Sequence, residues 1–303
     1  MFALTPAGSN FPIGGQTNST WKLLCFLQEV AETSWPLPLQ GSNANVSIRD
    51  LVYSVLIFLV FRNVYWVVLL GALWTEPALA CFPYNVMHSI LFQTPRFWDY
   101  RAVDPNLARF TQHLPAMRDE ALAVSDKAVP FSSHPHQRRI ALGQPWNVLS
   151  FVSYGTINYA NCAKCPTIAS LVLQTPSIKL AMLSIMEKGT HIKRHCGYFK
   201  NVLRVHITLH VDQEDTTHRY IDVGGERYHW TQGDMVVFDD TFPHEVHNEV
   251  PGRRIVLFMD VERPYSSITA AALSRTFLTF LQGSKTIAEA AKFQEKSTAQ
   301  SGI

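Results

Sequence analysis

Residues 184–211 read SIMEKGTHIKRHCGYFKNVLRVHITLHV, and residues 233–264 read GDMVVFDDTFPHEVHNEVPGRRIVLFMDVERP. Within the first stretch, Leu203 to Val211 alternates with period two: Arg204, His206, Thr208 and His210 share one face, and Val205, Ile207 and Leu209 share the other. A strand with cationic and imidazole groups along a whole face meets either solvent or a polar cavity that uses them. Met235 to Asp239 and Ile255 to Val261 are two further short, apolar, β-branched runs bounded by Gly, Pro or Asp. Between them, His244 follows the turn Asp239-Asp240-Thr241. The pattern reads as a β-barrel with a metal site built into it.

Imidazole is the commonest protein ligand for Fe, Zn, Cu and Ni, and the open coordination positions decide what the metal does. His195 stands at the mouth of one strand and His244 at the start of another, 49 positions away. Only tertiary folding closes such a gap. In a chain with 12 histidines the pair is weak evidence by itself. Taken singly, each polar residue also has a structural reading: His244 as a turn cap, His206 and Arg204 as a solvated strand face, Arg254 as a surface partner of Asp239 or Asp240.

Taken in order, Ser184-Ile185-Met186, Gly189-Thr190-His191, His195 with Gly197, Leu203-Arg204-Val205-His206, Phe238-Asp239-Asp240, His244-Glu245-Val246 and Arg254 with Asp260-Val261 resemble the catalytic core of the aspartyl/asparaginyl β-hydroxylase family. The resemblance runs from near Trp146 to Pro264. It implies a mainly β fold, a double-stranded β-helix (jelly-roll, cupin-like) core with flanking helices. It also implies a dioxygenase that uses Fe(II), 2-oxoglutarate and O2 to hydroxylate an unactivated C–H. By that resemblance His195 and His244 are the iron ligands. Arg254 pairs with the distal carboxylate of 2-oxoglutarate, with Ser184 assisting. His206 contacts the other carboxylate near the metal, and Arg204 faces the substrate side. The arginine role is chemically apt, because a guanidinium fork binds carboxylate bidentately and keeps its charge.

Most non-haem Fe(II) oxygenases add a carboxylate to two histidines, commonly two residues after the first. That position is Gly197. A missing carboxylate is normal for the resembled family, and it is also what a halogenating oxygenase uses to seat a halide, so both chemistries stay open at this stage. A catalytically inactive cupin-like binding protein is the third reading. Asp239 and Asp240 read as turn formers, with Asp240 close enough to His244 to orient it. His191, His210, His218, His229 and His247 carry no assigned role.

The 303 residues, 47% of them hydrophobic, suffice for one large domain or for a domain plus an anchor, and a net charge of +2 with no basic run gives no sign of nucleic-acid binding. Residues 1–50 read as irregular, with one short helix from Ser19 to Glu32 and glycosylation triplets at Asn18 and Asn45. Residues 51–74 are nearly all apolar and long enough for a single membrane span. Arg62 near the middle costs about 2.5–3.5 kcal/mol, which more than a dozen apolar neighbours offset. A hairpin at Arg62-Asn63 or a buried helix pair is the alternative. Arg49 and Glu76 favour a cytoplasmic N-terminus and a lumenal catalytic domain, with a soluble cytoplasmic protein as the alternative.

Residues 75–103 read as a linker, 104–282 as the oxygenase domain and 283–303 as a flexible tail. Within the domain, Leu107 to Val124 patterns as an amphipathic helix bent or started at Pro115, Trp146 to Tyr154 as a strand, and Pro166 to Leu173 and Ile268 to Gln282 as helices. Cys162 and Cys165, with no second cysteine pair at zinc spacing, read as thiols, or as a local disulfide if the domain is lumenal. The expected substrates are those the resemblance implies: a peptidyl Asp or Asn, a lipid, or a small metabolite, encountered with membrane association.

Overall fold

The computed structural model describes residues 94–131, 140–197, 199–212, 217–265 and 268–282, together with Asn85, His88 and Ser89. The helix expected from Ser19 to Glu32, the glycosylation triplets, the apolar run at 51–74 and the tail expected at 283–303 lie outside the described residues. Among those described, no helix is long and apolar enough to cross a membrane.

Among the described residues thirteen strands follow in order: β1 Phe97–Trp98, β2 Val129–Pro130, β3 Ala141–Gly143, β4 Trp146–Ser153, β5 Thr156–Ile157, β6 Ile178–Met186, β7 Thr190–His195, β8 Val202–Val211, β9 Arg219–Val223, β10 Glu226–His229, β11 Met235–Phe238, β12 His244–Asn248 and β13 Arg254–Glu262. They form two antiparallel sheets among the described residues. The large one runs β1-β11-β8-β13-β6-β4-β2, with β5 on β4, and the small one runs β10-β9-β12-β7-β3. This is a jelly-roll-like arrangement, with consecutive strands crossing between sheets. Phe97 and Trp98 pair with Phe238 and Val237, so a segment inside the expected linker already contributes an edge strand.

Period-two alternation assigns each long strand of the large sheet two unlike faces. Leu203, Val205, Ile207 and Leu209 of β8, with Ile255, Leu257, Met259 and Val261 of β13, join a core that also takes in Phe110, Met117, Ala121, Ile168 and Leu171 from the helices. A second core lies between the sheets and includes Met182, Val256 and Phe258 from the large one and Ile192, Ile221, Val223 and Val246 from the small one. Removing a fully buried side chain such as Leu257 from such packing costs about 2–5 kcal/mol. The residues interleaved with this second set, among them Ser184, His206 and Arg254, are buried as well.

The helical pattern expected from Leu107 resolves into a short helix Ala108–Thr111 and α1, Leu114–Val124. Pro115 sits in the first turn of α1, where its missing N–H is harmless, and its ring would clash with a continuous helix. Next come α2, Tyr159–Lys164, and α3, Pro166–Leu173, which meet at Cys165. Cys162 and Cys165 are free, buried thiols. Burial pushes Cys165 up to about 12, so it stays protonated and unreactive at neutral pH. The last helix, α4 (Ile268–Gln282), packs Phe277 and Leu278 beside Tyr154 and Val202.

Candidate metal and cosubstrate site

The two strands that carry the histidine pair are hydrogen-bonded neighbours in the small sheet, with His244 directly opposite His195. Their rings lie 4.2 Å apart, centroid to centroid, at 50°. The register shifts between His244 and Val246, so Val246 faces Ile192 while His244 faces His195. That bulge turns both Ile192 and His195 towards the barrel interior although three positions separate them, and it leaves Lys193 and Arg194 exposed.

Each ring is fixed by a backbone carbonyl. His195 Nδ1 lies 2.7 Å from the Lys193 carbonyl, and His244 Nδ1 lies 2.9 Å from that of Phe242. A carbonyl only accepts, so both Nδ1 atoms carry the proton and both Nε2 atoms present a lone pair. Burial pushes His195 down to about 4 and holds His244 well below the usual imidazole range. Two neutral imidazoles protonated on Nδ1 suit a divalent cation, which an Nε2 lone pair ligates. The orientation of His244 expected from the Asp240 carboxylate is supplied instead by the Phe242 carbonyl.

Asp240 has a different position. Its carboxylate occupies the volume next to Gly197, where an added Cβ would stand 2.1 Å from Oδ2. Glycine at 197 is therefore a packing requirement. Asp240 Oδ2 pairs with Arg204 Nη1 at 2.8 Å, while Arg204 Nε and Nη2 each reach Asp260 Oδ1 at 3.0 Å. Tyr154 donates its hydroxyl to the other Asp260 oxygen at 3.0 Å, and the Arg204 guanidinium stacks 4.3 Å over the Phe258 ring. Burial pushes the Asp240 carboxyl up to about 7 against the opposing pull of Arg204.

Asp239 is a turn former with a further role. Its Oδ1 accepts from the backbone and hydroxyl of Thr241, and its Oδ2 pairs with Arg263 at 2.6 Å and Lys200 at 3.1 Å, all without solvent exposure to speak of. Burial alone would raise its pKa, but the two cations hold it well below the carboxylate range. This buried trio fixes the loop that delivers His244.

Deeper between the sheets lies Arg254, 1% exposed. Its Nη2 donates to Ser184 Oγ at 3.3 Å, Trp146 Nε1 donates to the same oxygen at 2.9 Å, and the guanidinium stacks 4.3 Å over Trp230. Arg254 Nε and Nη1 are buried without a hydrogen-bond partner, as are both ring nitrogens of His206 and Nε1 of Trp230. Among the described residues no carboxylate pairs with Arg254. Burial, with a further push from the nearby guanidinium of Arg219, lowers Arg254 to about 9, and burial holds His206 neutral. A buried guanidinium without an anion costs several kcal/mol. A small dicarboxylate with oxygen acceptors would satisfy this donor set, so 2-oxoglutarate fits the residues present.

Residues 111–264, just over half of the chain, match the sequence model of the family described as "Aspartyl/Asparaginyl beta-hydroxylase". The chain belongs to that family. Among similar curated proteins, the ornithine lipid ester-linked acyl 2-hydroxylase of Rhizobium tropici is 32% identical over 130 residues, 43% of this chain and 46% of that one. The human aspartyl/asparaginyl beta-hydroxylase is 28% identical over 176 residues, 56% of this chain and 22% of the human protein. The chain thus spans less than half the length of either. A prolyl-4-hydroxylase from Pseudomonas putida overlays 50% of this chain and 88% of its own at 14% identity, with a TM-score of 0.34.

The structure brings all six residues singled out in the sequence, Ser184, His195, Arg204, His206, His244 and Arg254, to strands around one interior. Sequence reasoning missed Trp146 and Trp230, which hold Ser184 and Arg254, and the Asp260 half of the Arg204 clamp. Period-two counting along β13 places Asp260 on the face of Arg254 and Phe258, a signal present in the sequence.

Proposed function

We propose that this member of the aspartyl/asparaginyl β-hydroxylase family is an Fe(II)- and 2-oxoglutarate-dependent hydroxylase. His195 and His244 hold the iron through Nε2. Arg254, helped by Ser184, receives the distal carboxylate of 2-oxoglutarate, and His206 lies beside the carboxylate nearer the metal. When bound, Fe(II) with 2-oxoglutarate and O2 supplies the oxidising power for C–H hydroxylation, and the cosubstrate leaves as succinate and CO2. The residues of this chain place the cosubstrate, exclude water with Trp146, Trp230, Phe238 and Phe258, and shape the substrate side with the Arg204 clamp.

The observation that carries this reading is Arg254: a buried guanidinium, with open donors, that no described carboxylate neutralises. The filled volume beside Gly197 favours hydroxylation over halogenation, since a halide seated there would meet the Asp240 carboxylate. For the substrate, the apolar run at 51–74 and a relative named as a lipid acyl hydroxylase favour a lipid met at a membrane to which this chain is anchored. Anaerobic addition of Fe(II) and 2-oxoglutarate to the purified chain tests the site. A visible metal-to-ligand absorption band is expected, and a folded chain that shows neither the band nor binding of 2-oxoglutarate returns the fold to a binding-protein role. For the anchor, the full chain is expected to pellet with lipid vesicles and a chain beginning at Pro95 to remain in the supernatant; equal partitioning removes it.

A further inference from the structure

The bulge that turns His195 inward sends a second set of ligand-type side chains outward from the same two strands. His191 of β7 pairs across the sheet with His247 of β12, and Glu245 lies two residues from His247 on the same outer face. We propose that His191, Glu245 and His247 form a second divalent-cation site, of the kind zinc takes, back to back with the His195 and His244 pair. One ligand atom from each of the three residues lies within 4.8 Å of the others.

The two imidazoles stack 4.1 Å apart at 27°, and Tyr220 stacks on the far side of His247 at 4.7 Å. Stacked rings on a sheet face need no metal if their nitrogens are wet or hydrogen-bonded. One nitrogen here is neither. His191 Nε2 is buried with no hydrogen-bond partner. The Glu245 carboxylate stands 3.7 Å from His247 Nε2, and that of Glu249 stands 3.7 Å from Nδ1, both beyond hydrogen-bond length. Two imidazoles and a carboxylate are thus gathered without bonding one another. A cation bound at about 2.0–2.2 Å to each would satisfy all three, with side-chain rotation alone, because paired strands already fix the backbones. Two imidazoles and one carboxylate bring one negative charge to the ion and leave a fourth position for water or Glu249.

Such an ion would pin β7 to β12 at the point where both deliver ligands to the interior, holding the spacing of His195 and His244. Its function is positioning, and it does not depend on the chemistry proposed inside the barrel.

The test uses the full chain, stripped of metal, titrated with Zn(II) by calorimetry and with Co(II) by its visible absorption. Wild type is expected to take two equivalents. The double variant His195→Ala/His244→Ala isolates the outer site and is expected to keep one, with a Zn(II)-dependent rise in melting temperature. Adding His247→Ala or Glu245→Gln to that double variant should abolish both the remaining equivalent and the rise. If the added variants fail to fold, His191→Gln in the wild-type background should lower the stoichiometry from two to one. Binding of no ion by a folded double variant overturns the second site, as does a remaining equivalent indifferent to His247 and Glu245. One equivalent in wild type that survives in the double variant keeps the outer site and removes the inner one.

Discussion

Arg204 and Arg254 sit on neighbouring strands of one sheet, both facing the barrel interior, and the difference that matters between their surroundings is charge. Each stacks 4.3 Å over an aromatic ring, Phe258 for Arg204 and Trp230 for Arg254. Arg204 is held between the carboxylates of Asp240 and Asp260, whereas Arg254 meets only the Ser184 hydroxyl among the described residues. Burial disfavours the charge of both. For Arg204 the two carboxylates more than compensate and its pKa rises, while Arg254 falls to about 9. A paired guanidinium is part of the wall. An unpaired one marks where an anion comes in, so the same substitution at the two positions should have opposite signatures.

The largest effect belongs to Arg254→Met. Losing a charge-assisted bidentate contact is expected to lower kcat/KM for 2-oxoglutarate by about 1000-fold, roughly 4 kcal/mol. The melting temperature should hold or rise, because an uncompensated buried charge has gone. Succinate rates against cosubstrate concentration and a thermal melt read the two halves separately, and a large loss of stability would place an unseen anionic partner on Arg254. Arg204→Met is expected to do the reverse. It strands Asp240 and Asp260 together and should destabilise the fold by about 3 kcal/mol, with KM for 2-oxoglutarate changing only a few-fold in protein that remains folded. Chemical denaturation checks this, and an unchanged midpoint would mean that the clamp contributes nothing.

A third carboxylate sharpens the contrast. The Asp239 pKa is depressed in the folded state, so its contribution is present above the unfolded value of about 3.9 and is lost as pH falls below that value. Asp239→Asn should therefore be less stable than wild type at neutral pH, leaving Lys200 and Arg263 buried without their anion. The gap should begin to narrow below about pH 4 and keep shrinking as pH falls towards the depressed folded-state value of Asp239. A gap constant with pH would assign the loss to packing. The smallest effect is Ser184→Ala, which removes one uncharged donor from the cosubstrate carboxylate and leaves Trp146 Nε1 unmatched. About 1 kcal/mol, or a five-fold rise in KM for 2-oxoglutarate, is expected.

Much of the large sheet was legible in the sequence because its two faces have unlike surroundings, apolar on one side and polar on the other, and Leu203 to Val211 of β8 shows both in nine residues. His195, His206, His244 and Arg254 were legible because their order and spacing resemble a known core. Less legible was anything that depends on register. The bulge in β7 is invisible in THIKRH, yet it decides that His195 points inward and His191 outward. The space taken by Asp240 beside Gly197 links residues far apart in the chain through one close approach. Trp146 and Trp230 were hidden for another reason: a tryptophan in a strand is ordinarily core, and only the position of its N–H distinguishes a cosubstrate wall from packing. Cys162 and Cys165 resolved to the plainest of their readings, buried free thiols.

The central claim, that this interior holds iron on His195 and His244 and 2-oxoglutarate on Arg254, is tested most directly by succinate formation. The purified chain is supplied with Fe(II), 2-oxoglutarate and O2 and compared with His244→Ala and Arg254→Ala; slow turnover without the true substrate is sufficient for the readout. Succinate from wild type and none from either folded variant is the expected result. Succinate formation that survives both substitutions would contradict it.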